Sequence, residues 1–435
     1  MSRYRTGDSR PRKAVEERLR SLVEGPGDLI QLAAAPEANG RLRQLEDAIA
    51  GTLNALREEF HRTAAVSRRQ EVLDLVAVLV FAHVTSIDAG GKGLGRHLAP
   101  EGHSAAEGVN AFVAEALSRN LPSMNGHGLD PGRFFAPLGA GDEAFARSLL
   151  TIFERDAAAF RSLHEAGRDD LINEVFSRFM SASFVDEKEM GQYLTPPEVS
   201  RFMVQVGLHA LAPSAREALL DPDQCERAGL VLDPSCGVGS FLAEAIRLFH
   251  EKVRERDAAR APAWLSKFVS GNVVGIDKSE RMLRLACINL GLFGARVANL
   301  YLANGLARSG DDAKVTTTLE SRAQLILTNP PFGATYSGAD IAAFSMGRDR
   351  NRLDSEILFL ERYVDWVMPG GVIVSVVPDS ILVNRGPFSE LRRLLAARCN
   401  VEAVFSLPPV TFAAAGTSTK TSVLLLRRKE TSDAR

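Results

Sequence analysis

The chain has 435 residues, of which 45% are hydrophobic and 24% charged, and its 52 Lys and Arg nearly balance its 54 Asp and Glu. This composition excludes a disordered, fibrous or membrane-embedded protein. The length predicts two or three domains at roughly 150 residues each, and the near-zero net charge provides no broad basic field for binding nucleic acid.

The cysteines give no indication of a metal site or a disulfide framework. Cys225, Cys236, Cys287 and Cys399 are far apart and form no CxxC pair. The longest apolar run, 72–84, contains an Asp and is too short to span a bilayer, and no apolar stretch follows the basic N-terminus. We therefore expect a cytoplasmic protein with no metal and no membrane contact.

The first part of the chain has a helical pattern. Leu, Ala, Arg and Glu recur at spacings of three and four residues in 15–23, 42–60 and 68–84, and a last helix is predicted over 143–163. Gly-rich breaks separate these segments, and none of them alternates like a strand. The pattern predicts a helical domain over residues 1–170 and a second domain over 171–435.

Short aliphatic runs alternate with amphipathic helices beyond residue 170. Seven strands are predicted, over 230–232, 273–276, 300–303, 325–327, 371–377, 401–406 and 422–426. Helices are predicted between them, over 240–256, 280–292, 356–367 and 388–398. This order is typical of an α/β fold with a mostly parallel, doubly wound sheet.

The first predicted strand runs directly into a glycine-containing turn that opens a helix, with the sequence Val231-Leu-Asp-Pro-Ser-Cys-Gly-Val-Gly-Ser-Phe241. Such a turn brings the backbone close to a ligand and directs helix N–H groups at it. The GxGxxG pattern of a dinucleotide site is incomplete, because Leu242 occupies the third glycine position. The turn is either a cofactor loop or a tightly packed turn.

Asp277 ends the second predicted strand. A carboxylate at this edge, one strand after a glycine loop, can accept hydrogen bonds from both hydroxyls of a ribose. It can also cap the helix that follows. Because the glycine loop precedes it at this distance, we favour the ribose role.

The most specific motif is Asn329-Pro330-Pro331-Phe332, which directly follows an apolar strand. Two prolines stiffen the backbone and remove two N–H donors, which leaves carbonyl oxygens as acceptors. The Asn side-chain oxygen and the Pro330 carbonyl can hold an amino group for attack on a methyl group, while the Phe ring can stack on a flipped base. The alternative is a proline-stiffened turn with a core Phe.

Together these motifs resemble those of the N6-adenine DNA methyltransferases that use S-adenosylmethionine, and most closely the methylation subunit of type I restriction-modification systems. The resemblance covers about 170–429. In chain order, it consists of Gly191-Gln-Tyr-Leu-Thr-Pro-Pro-Glu-Val199, the glycine loop, Asp277, Asn304-Gly305, Asn329-Pro-Pro-Phe-Gly333, Pro369-Gly-Gly371 and the stretch 412–429 with Gly416-Thr-Ser-Thr-Lys-Thr421. It implies a Rossmann-like, seven-stranded S-adenosylmethionine-dependent methyltransferase fold with an N-terminal all-helical domain.

The resemblance also implies roles for individual residues. The catalytic set is Asn329, Pro330, Pro331 and Phe332. The cofactor-binding set is Gln192, Tyr193, Leu194, Thr195, Pro196, Pro197, Asp233, Cys236, Gly237, Val238, Gly239, Ser240, Asp277 and Asn304. In it, Thr195 suits the methionine carboxylate, Asp277 the ribose and Asn304 the adenine amino group. Leu194 and Val238 depart from the usual residues, and neither departure removes a catalytic atom.

The implied reaction needs little else from the protein. The sulfonium methyl is already activated, so alignment supplies most of the acceleration, and we assign no metal and no general base. Arg348, Arg350 and Arg352 either contact phosphates beside the flipped base or form a solvated loop. The same Asn-Pro-Pro turn also suits a methyltransferase acting on RNA or on a protein glutamine amide, and a non-catalytic scaffold is a further alternative.

The expected partner is double-stranded DNA, read with the help of another subunit. No target-recognition segment follows the last predicted strand, so we expect a separate specificity subunit, with a restriction or other defence subunit as a further possible partner. The helical residues 1–170 are expected to clamp DNA or dock that subunit. The near-neutral charge agrees with a catalytic subunit whose partner supplies much of the phosphate affinity.

Overall fold

The computed structural model describes residues 36–62, 69–124, 130–165, 195–293, 295, 297–409, 411–412 and 419–430. The chain divides into two units, 1–44 and 45–435. Of the first unit, residues 36–44 are described, and they are helical. The predicted helix over 15–23 lies outside the described residues.

Helices dominate the described part of the N-terminal region. They are α1 (Pro36–Arg62), α2 (Arg69–Asp88), α3 (Ala105–Asn120) and α4 (Glu143–Glu165). Ser104 caps α3 by accepting the N–H of Glu107, and Glu143 at the start of α4 accepts the N–H groups of Ala105 and Ala106. The helical prediction is confirmed for these segments. The region also contributes a two-residue strand, β1 (Ser123–Met124), which no alternating pattern indicated.

Strands and helices alternate in the rest of the chain. The strands are β2 (Leu230–Asp233), β3 (Val273–Asp277), β4 (Val297–Leu302), β5 (Ala323–Thr328), β6 (Thr335–Ser337), β7 (Arg352–Asp354), β8 (Val367–Pro378), β9 (Cys399–Ser406) and β10 (Thr421–Arg428). The helices are α5 (Pro197–Ala210), α6 (Pro213–Leu220), α7 (Ser240–Arg256), α8 (Ala261–Gly271), α9 (Glu280–Gly291), α10 (Gly310–Thr318), α11 (Ala339–Ala342), α12 (Ser355–Trp366), α13 (Ser380–Val383) and α14 (Pro387–Arg398).

Eight strands form one sheet in the order β1-β4-β3-β2-β5-β8-β10-β9. Within this sheet the six strands β1, β4, β3, β2, β5 and β8 are parallel, whereas β10 runs antiparallel to both β8 and β9. All seven predicted strands are present, and β1 adds an eighth at the edge. The α/β methyltransferase-like fold predicted from the sequence is confirmed.

Helices cover both faces of this sheet because side chains of a strand alternate between its faces. On one face, Leu325 and Leu327 of β5 pack beside Gly207 of α5, where a Cβ atom would approach the Leu325 side chain to 3.0 Å. On the other face, Ile326 belongs to a buried cluster with Leu358 and Tyr363 of α12. Strands buried on both faces explain the nearly continuous hydrophobic runs in the sequence.

The helical region packs against the sheet domain through α2 and α9. Arg281 of α9 donates to both carboxylate oxygens of Asp74 in α2, at 2.9 and 3.1 Å. Gly291 leaves room for the ring of Phe81, because a Cβ there would lie 2.8 Å from that ring. Within the described residues, no helix is both long and apolar enough to cross a membrane.

Candidate active site

The predicted motifs come together at one edge of the sheet. Strands β4, β3, β2 and β5 are parallel neighbours, so their carboxyl ends lie side by side. The residues that follow these ends are Asn304, Asp277, the glycine loop and Asn329. This edge is where open α/β sheets bind their ligands.

The glycine loop leaves the start of α7 accessible to a ligand. Gly237 and Gly239 have φ angles of 51° and 78°, which L side chains rarely adopt. Gly239 is the N-cap of α7, and no described side chain caps the helix there. Ser240 is the first helical residue, and the Val238 carbonyl accepts a hydrogen bond from Asn289 at 3.2 Å. Uncapped N–H groups at a helix start are suited to a carboxylate or another anion.

Asp277 is held against the glycine loop. Its Oδ2 accepts the N–H of Gly237 at 3.0 Å, and its Oδ1 accepts the N–H of Ser279 at 2.8 Å. Burial raises the pKa of this carboxyl. The alternative role as a helix cap is wrong, because Ser279 is the N-cap of α9 and accepts the N–H of Met282. Each carboxylate oxygen of Asp277 keeps a lone pair for a further donor.

Asn304 lies in a turn after β4 that packs closely on the glycine loop. Its backbone N–H is donated to Asp312 at 2.9 Å, and its Oδ1 accepts the N–H of Leu306 at 3.0 Å. A Cβ on Gly305 would lie 2.9 Å from the Pro234 carbonyl oxygen, so only glycine fits there without a shift. Asn304 is half-buried, and its side-chain oxygen is partly occupied by this turn.

Asp233 and Cys236 of the glycine loop have buried polar side chains. Asp233 is 1% exposed, and its Oδ1 accepts the Ser235 N–H at 3.1 Å and the Thr328 hydroxyl at 2.9 Å. The Cys236 thiol is buried 3.0 Å from the place where a Cβ on Gly275 would lie, and burial raises its pKa well above the usual value. These two side chains support the loop from the protein interior.

The turn after β5 presents free acceptors. The Nδ2 of Asn329 donates to the Thr195 hydroxyl at 3.1 Å, while its buried Oδ1 has no hydrogen-bond partner among the described residues. The Pro330 carbonyl likewise receives no donor from the described part of the chain. Pro331 and Phe332 are half-buried. A buried acceptor without a donor is costly, which is typical of a site that binds a ligand donor.

The segment before α5 reaches the same site. Thr195 is 4% exposed, and Pro196 and Pro197 form the N-cap and first residue of α5. The hydroxyl that the resemblance assigns to a carboxylate of the cofactor accepts the amide of Asn329. Gln192, Tyr193 and Leu194 lie outside the described residues.

Sequence reasoning missed the residues that hold the Asn329 turn from α12. The Ser355 hydroxyl donates to the Pro331 carbonyl at 2.8 Å, and the buried Glu356 carboxylate accepts the Gly333 N–H at 3.4 Å. Burial raises the pKa of Glu356. The available signal was the acidic residue at the start of α12, a position where a carboxylate is favourable for the helix itself.

The three arginines considered for phosphate contact are not equivalent. Strands β6 and β7 form an antiparallel pair, and the segment between them carries Arg348 and Arg350. Arg350 donates to Glu390 of α14 at 2.5 Å and to the Met346 carbonyl at 2.7 Å, so it holds this segment to the domain. Arg348 and Arg352 are exposed and make no such contact with a described residue.

The arrangement therefore combines three kinds of groups at one sheet edge. N–H donors lie at the start of α7, a carboxylate lies at the end of β3, and after β5 come two carbonyl acceptors that receive no donor from a described residue. Such a set can bind a zwitterionic ligand with a diol on one side and an amino group on the other.

Known proteins that are similar to this chain include methylase subunits and methyltransferases. The chain is 27% identical over 272 residues to the methylase subunit of the type I restriction enzyme StySPI of Salmonella potsdam, covering 61% of this chain and 45% of that protein. It is 31% identical over 220 residues to the type II methyltransferase M.MamI of Microbacterium ammoniaphilum, covering 50% and 54%. The chain spans about half the length of these curated relatives.

A solved structure has the same fold. The methyltransferase subunit of the type I restriction-modification system of Streptococcus thermophilus matches with a TM-score of 0.53 at 14% identity, covering 90% of this chain and 86% of that one. The family model described as N-6 DNA Methylase matches residues 167–435, which include every motif at the sheet edge. The chain belongs to the N-6 DNA methylase family.

Proposed function

We propose that the chain is an adenine-specific DNA methyltransferase that transfers a methyl group from S-adenosylmethionine to N6 of a flipped adenine, as the modification subunit of a restriction-modification system. The observation that carries the proposal is the pair of unoccupied acceptors, Asn329 Oδ1 and the Pro330 carbonyl, beside a stackable Phe332. An exocyclic amino group has the two N–H donors that such a pair requires.

The residues at the sheet edge fit S-adenosylmethionine. The uncapped start of α7 suits its carboxylate, and the Asp277 carboxylate suits its ribose hydroxyls. Asn304 lies in the turn after the neighbouring strand β4, and we assign to it the adenine amino group of the cofactor. When bound, this cofactor supplies a methyl group that is already activated by its sulfonium.

The chain's own residues then have to orient the target amine. With both N–H groups directed at Asn329 Oδ1 and the Pro330 carbonyl, the nitrogen lone pair is turned away from the base plane and toward the cofactor side of the site. Phe332 stacks on the extruded base, and Thr195 fixes the Asn329 amide. The amine proton leaves after methylation, so no general base is assigned.

The proposed nucleic-acid contacts use the segment between β6 and β7, which directly follows the Asn329 turn. Arg348 in this segment and Arg352 at the start of β7 are exposed, and phosphate groups are the expected partners of guanidinium groups whose side chains pair with no described residue. We also assign to a separate specificity subunit the task of reading the target sequence, because the curated relatives include methylase subunits of multisubunit enzymes. A restriction subunit is a further proposed partner.

The test is methyl transfer from labelled S-adenosylmethionine to adenine-containing duplex DNA. The expected product is N6-methyladenine, and duplexes whose adenines are already N6-methylated should accept no label. Transfer to RNA or to a glutamine-containing peptide in place of DNA would contradict the proposal. Equal rates at one defined site with and without a specificity subunit would contradict the proposed partner.

A further inference from the structure

A buried polar cluster lies beneath the glycine loop and the Asn329 turn. Thr328 donates its hydroxyl to Asp233 Oδ1 at 2.9 Å, and the Ser235 hydroxyl lies 2.9 Å from the Thr328 oxygen and 3.5 Å from the Asn329 carbonyl. Tyr363 of α12 adds a buried hydroxyl that has no hydrogen-bond partner among the described residues. Thr328 is fully buried.

Burying this polar cluster costs folding free energy. Burial, with a smaller contribution from the Asp277 carboxylate on β3, raises the pKa of Asp233 to about 7, although the hydrogen bonds from Ser235 and Thr328 act to lower it. Hydrophobic side chains at such positions would remove the cost of burying these polar groups. A polar cluster at the junction of two functional turns therefore indicates a requirement for position rather than for stability.

We infer that Thr328 is a positioning residue for methyl transfer, a role that rests on the proposed function. Its hydroxyl ties the end of β5 to the carboxylate that anchors the glycine loop, and thereby fixes the distance between the Asn329 amide and the start of α7. The first group orients the amine and the second belongs to the cofactor site. A small error in this distance lowers the transfer rate without removing either binding site.

The strand geometry explains why Thr328 can act in this way. Its side chain is on the same face of β5 as Ile326, toward α12 and its Tyr363, and it is the last residue before Asn329. Rotation of its peptide unit would move the Asn329 carbonyl and side chain together. The Thr328 hydroxyl is the only side-chain group described on β5 that reaches the β2 carboxylate.

The experiment compares three variants of the full chain in complex with DNA and any required specificity subunit. Thr328→Val keeps the shape and removes the hydroxyl, and Thr328→Ser restores the hydroxyl. Ser375→Ala is the matched control, because Ser375 is the buried register partner of Thr328 on β8 and its hydroxyl bonds, among the described residues, only the Val376 carbonyl of its own strand. Single-turnover methyl transfer and the equilibrium Kd for S-adenosylmethionine are measured for each.

We expect the transfer rate of Thr328→Val to fall at least about 10-fold, with the cofactor Kd changed less than about twofold. Thr328→Ser should recover most of the rate, and Ser375→Ala should match the wild type. An unchanged rate in Thr328→Val, an equal loss in Thr328→Ser, or a parallel loss of cofactor affinity would overturn the positioning role.

A second measurement separates this inference from the proposed function. A wild type that transfers no methyl group to adenine contradicts the proposed function and, with it, the positioning role in that reaction. The hydrogen bond between Asp233 and Thr328 is tested by denaturant unfolding in a double-mutant cycle of Asp233→Asn and Thr328→Val. The losses of unfolding free energy in the two single variants should not add up to the loss in the double variant. Strict additivity would overturn the pairing whether or not the protein methylates DNA.

Discussion

The glycine loop and the Asn329 turn follow neighbouring parallel strands, β2 and β5, at the same edge of the sheet, yet they present opposite hydrogen-bonding groups. Gly237 and Gly239 adopt positive φ angles that leave N–H donors at the start of α7. Pro330 and Pro331 lack N–H groups and leave carbonyl acceptors. Equivalent places in a sheet thus become a donor site or an acceptor site through the choice of glycine or proline.

The largest effect on the methyl-transfer rate is expected when an acceptor of the Asn329 turn is removed. Asn329→Ala deletes the unoccupied Oδ1, and we expect the methyl-transfer rate to fall by about 10²–10³-fold, as for other groups that act at the reacting atoms. The Kd for S-adenosylmethionine, measured by calorimetry, should change less than about threefold because the donor side is intact.

The matched control for this change is Asn400→Ala, which removes an exposed Asn from the edge strand β9 and should leave the rate unchanged. A rate for Asn329→Ala close to that of this control would show that the turn does not hold the amine.

The second prediction concerns the pH response of Asp233, the buried carboxyl that supports the donor side. The folded-state pKa of Asp233 is about 7, above the value of 3.8 for a free Asp, so the native state holds its proton more tightly. Proton binding by Asp233 therefore contributes to the free energy of unfolding. This contribution is complete below pH 4 and is lost as the pH rises to 7, a change of about 4 kcal/mol.

Urea unfolding of the wild type and of Asp233→Asn at several pH values measures this change. The difference in unfolding free energy should shift in favour of Asp233→Asn between pH 4 and pH 7 and stay level above pH 8. A difference that is constant across this range would show that the carboxyl is ionised in the folded protein.

A third and smaller effect tests the backbone of the donor side. Gly239→Ala forces an L side chain into a φ of 78° and places its Cβ 3.3 Å from that of Ala286, which costs about 1–2 kcal/mol. We expect a lower melting temperature and about a 10-fold weaker binding of S-adenosylmethionine, measured by calorimetry.

Gly310→Ala provides the control, because Gly310 has a φ of 77° at the start of α10 with nothing within 4 Å of the added Cβ. It should lose stability without losing cofactor affinity. Equal losses of affinity in the two variants would show that the glycine loop is only a structural turn.

The smallest effect is expected from the two exposed arginines that follow the Asn329 turn, and it concerns the salt dependence of DNA binding. The double change of Arg348 and Arg352 to Ala should reduce the slope of log binding constant against log salt for duplex DNA by about 2, or about 0.9 per lost phosphate contact. The corresponding double change to Lys keeps both charges and should keep the slope. An unchanged slope in the double Ala variant would identify the segment as solvated surface.

Much of the fold followed from the sequence because buried parallel strands must be apolar on both faces and bounded by turns. The helix over 240–256 was predicted with the observed bounds. Strand β4 begins at Val297, three residues before the start of the predicted strand over 300–303. The two-residue β1 carries no local pattern, since its pairing with β4 depends on residues 174 positions away.

The candidate site was predicted less completely. Motifs contiguous in sequence, such as 329–332, were visible, but the contacts of their side chains were not. Three of these contacts depend on the register of strands and helices that are distant in sequence. Thr328 donates to Asp233 under the sheet edge, Ser355 donates to the Pro331 carbonyl, and Arg350 pairs with Glu390.

The sequence by itself determined which groups can donate and which can accept, because glycine freedom, proline stiffness and the Asn amide are properties of single residues. Only the tertiary structure decided which of them remain available. The parallel order of β3, β2 and β5 brings the three turns to one edge. Burial and local partners then occupy the Asp233 side chain and leave Asn329 Oδ1 without a described donor, because a hydrogen-bonding group binds a ligand only where the fold has not already satisfied it.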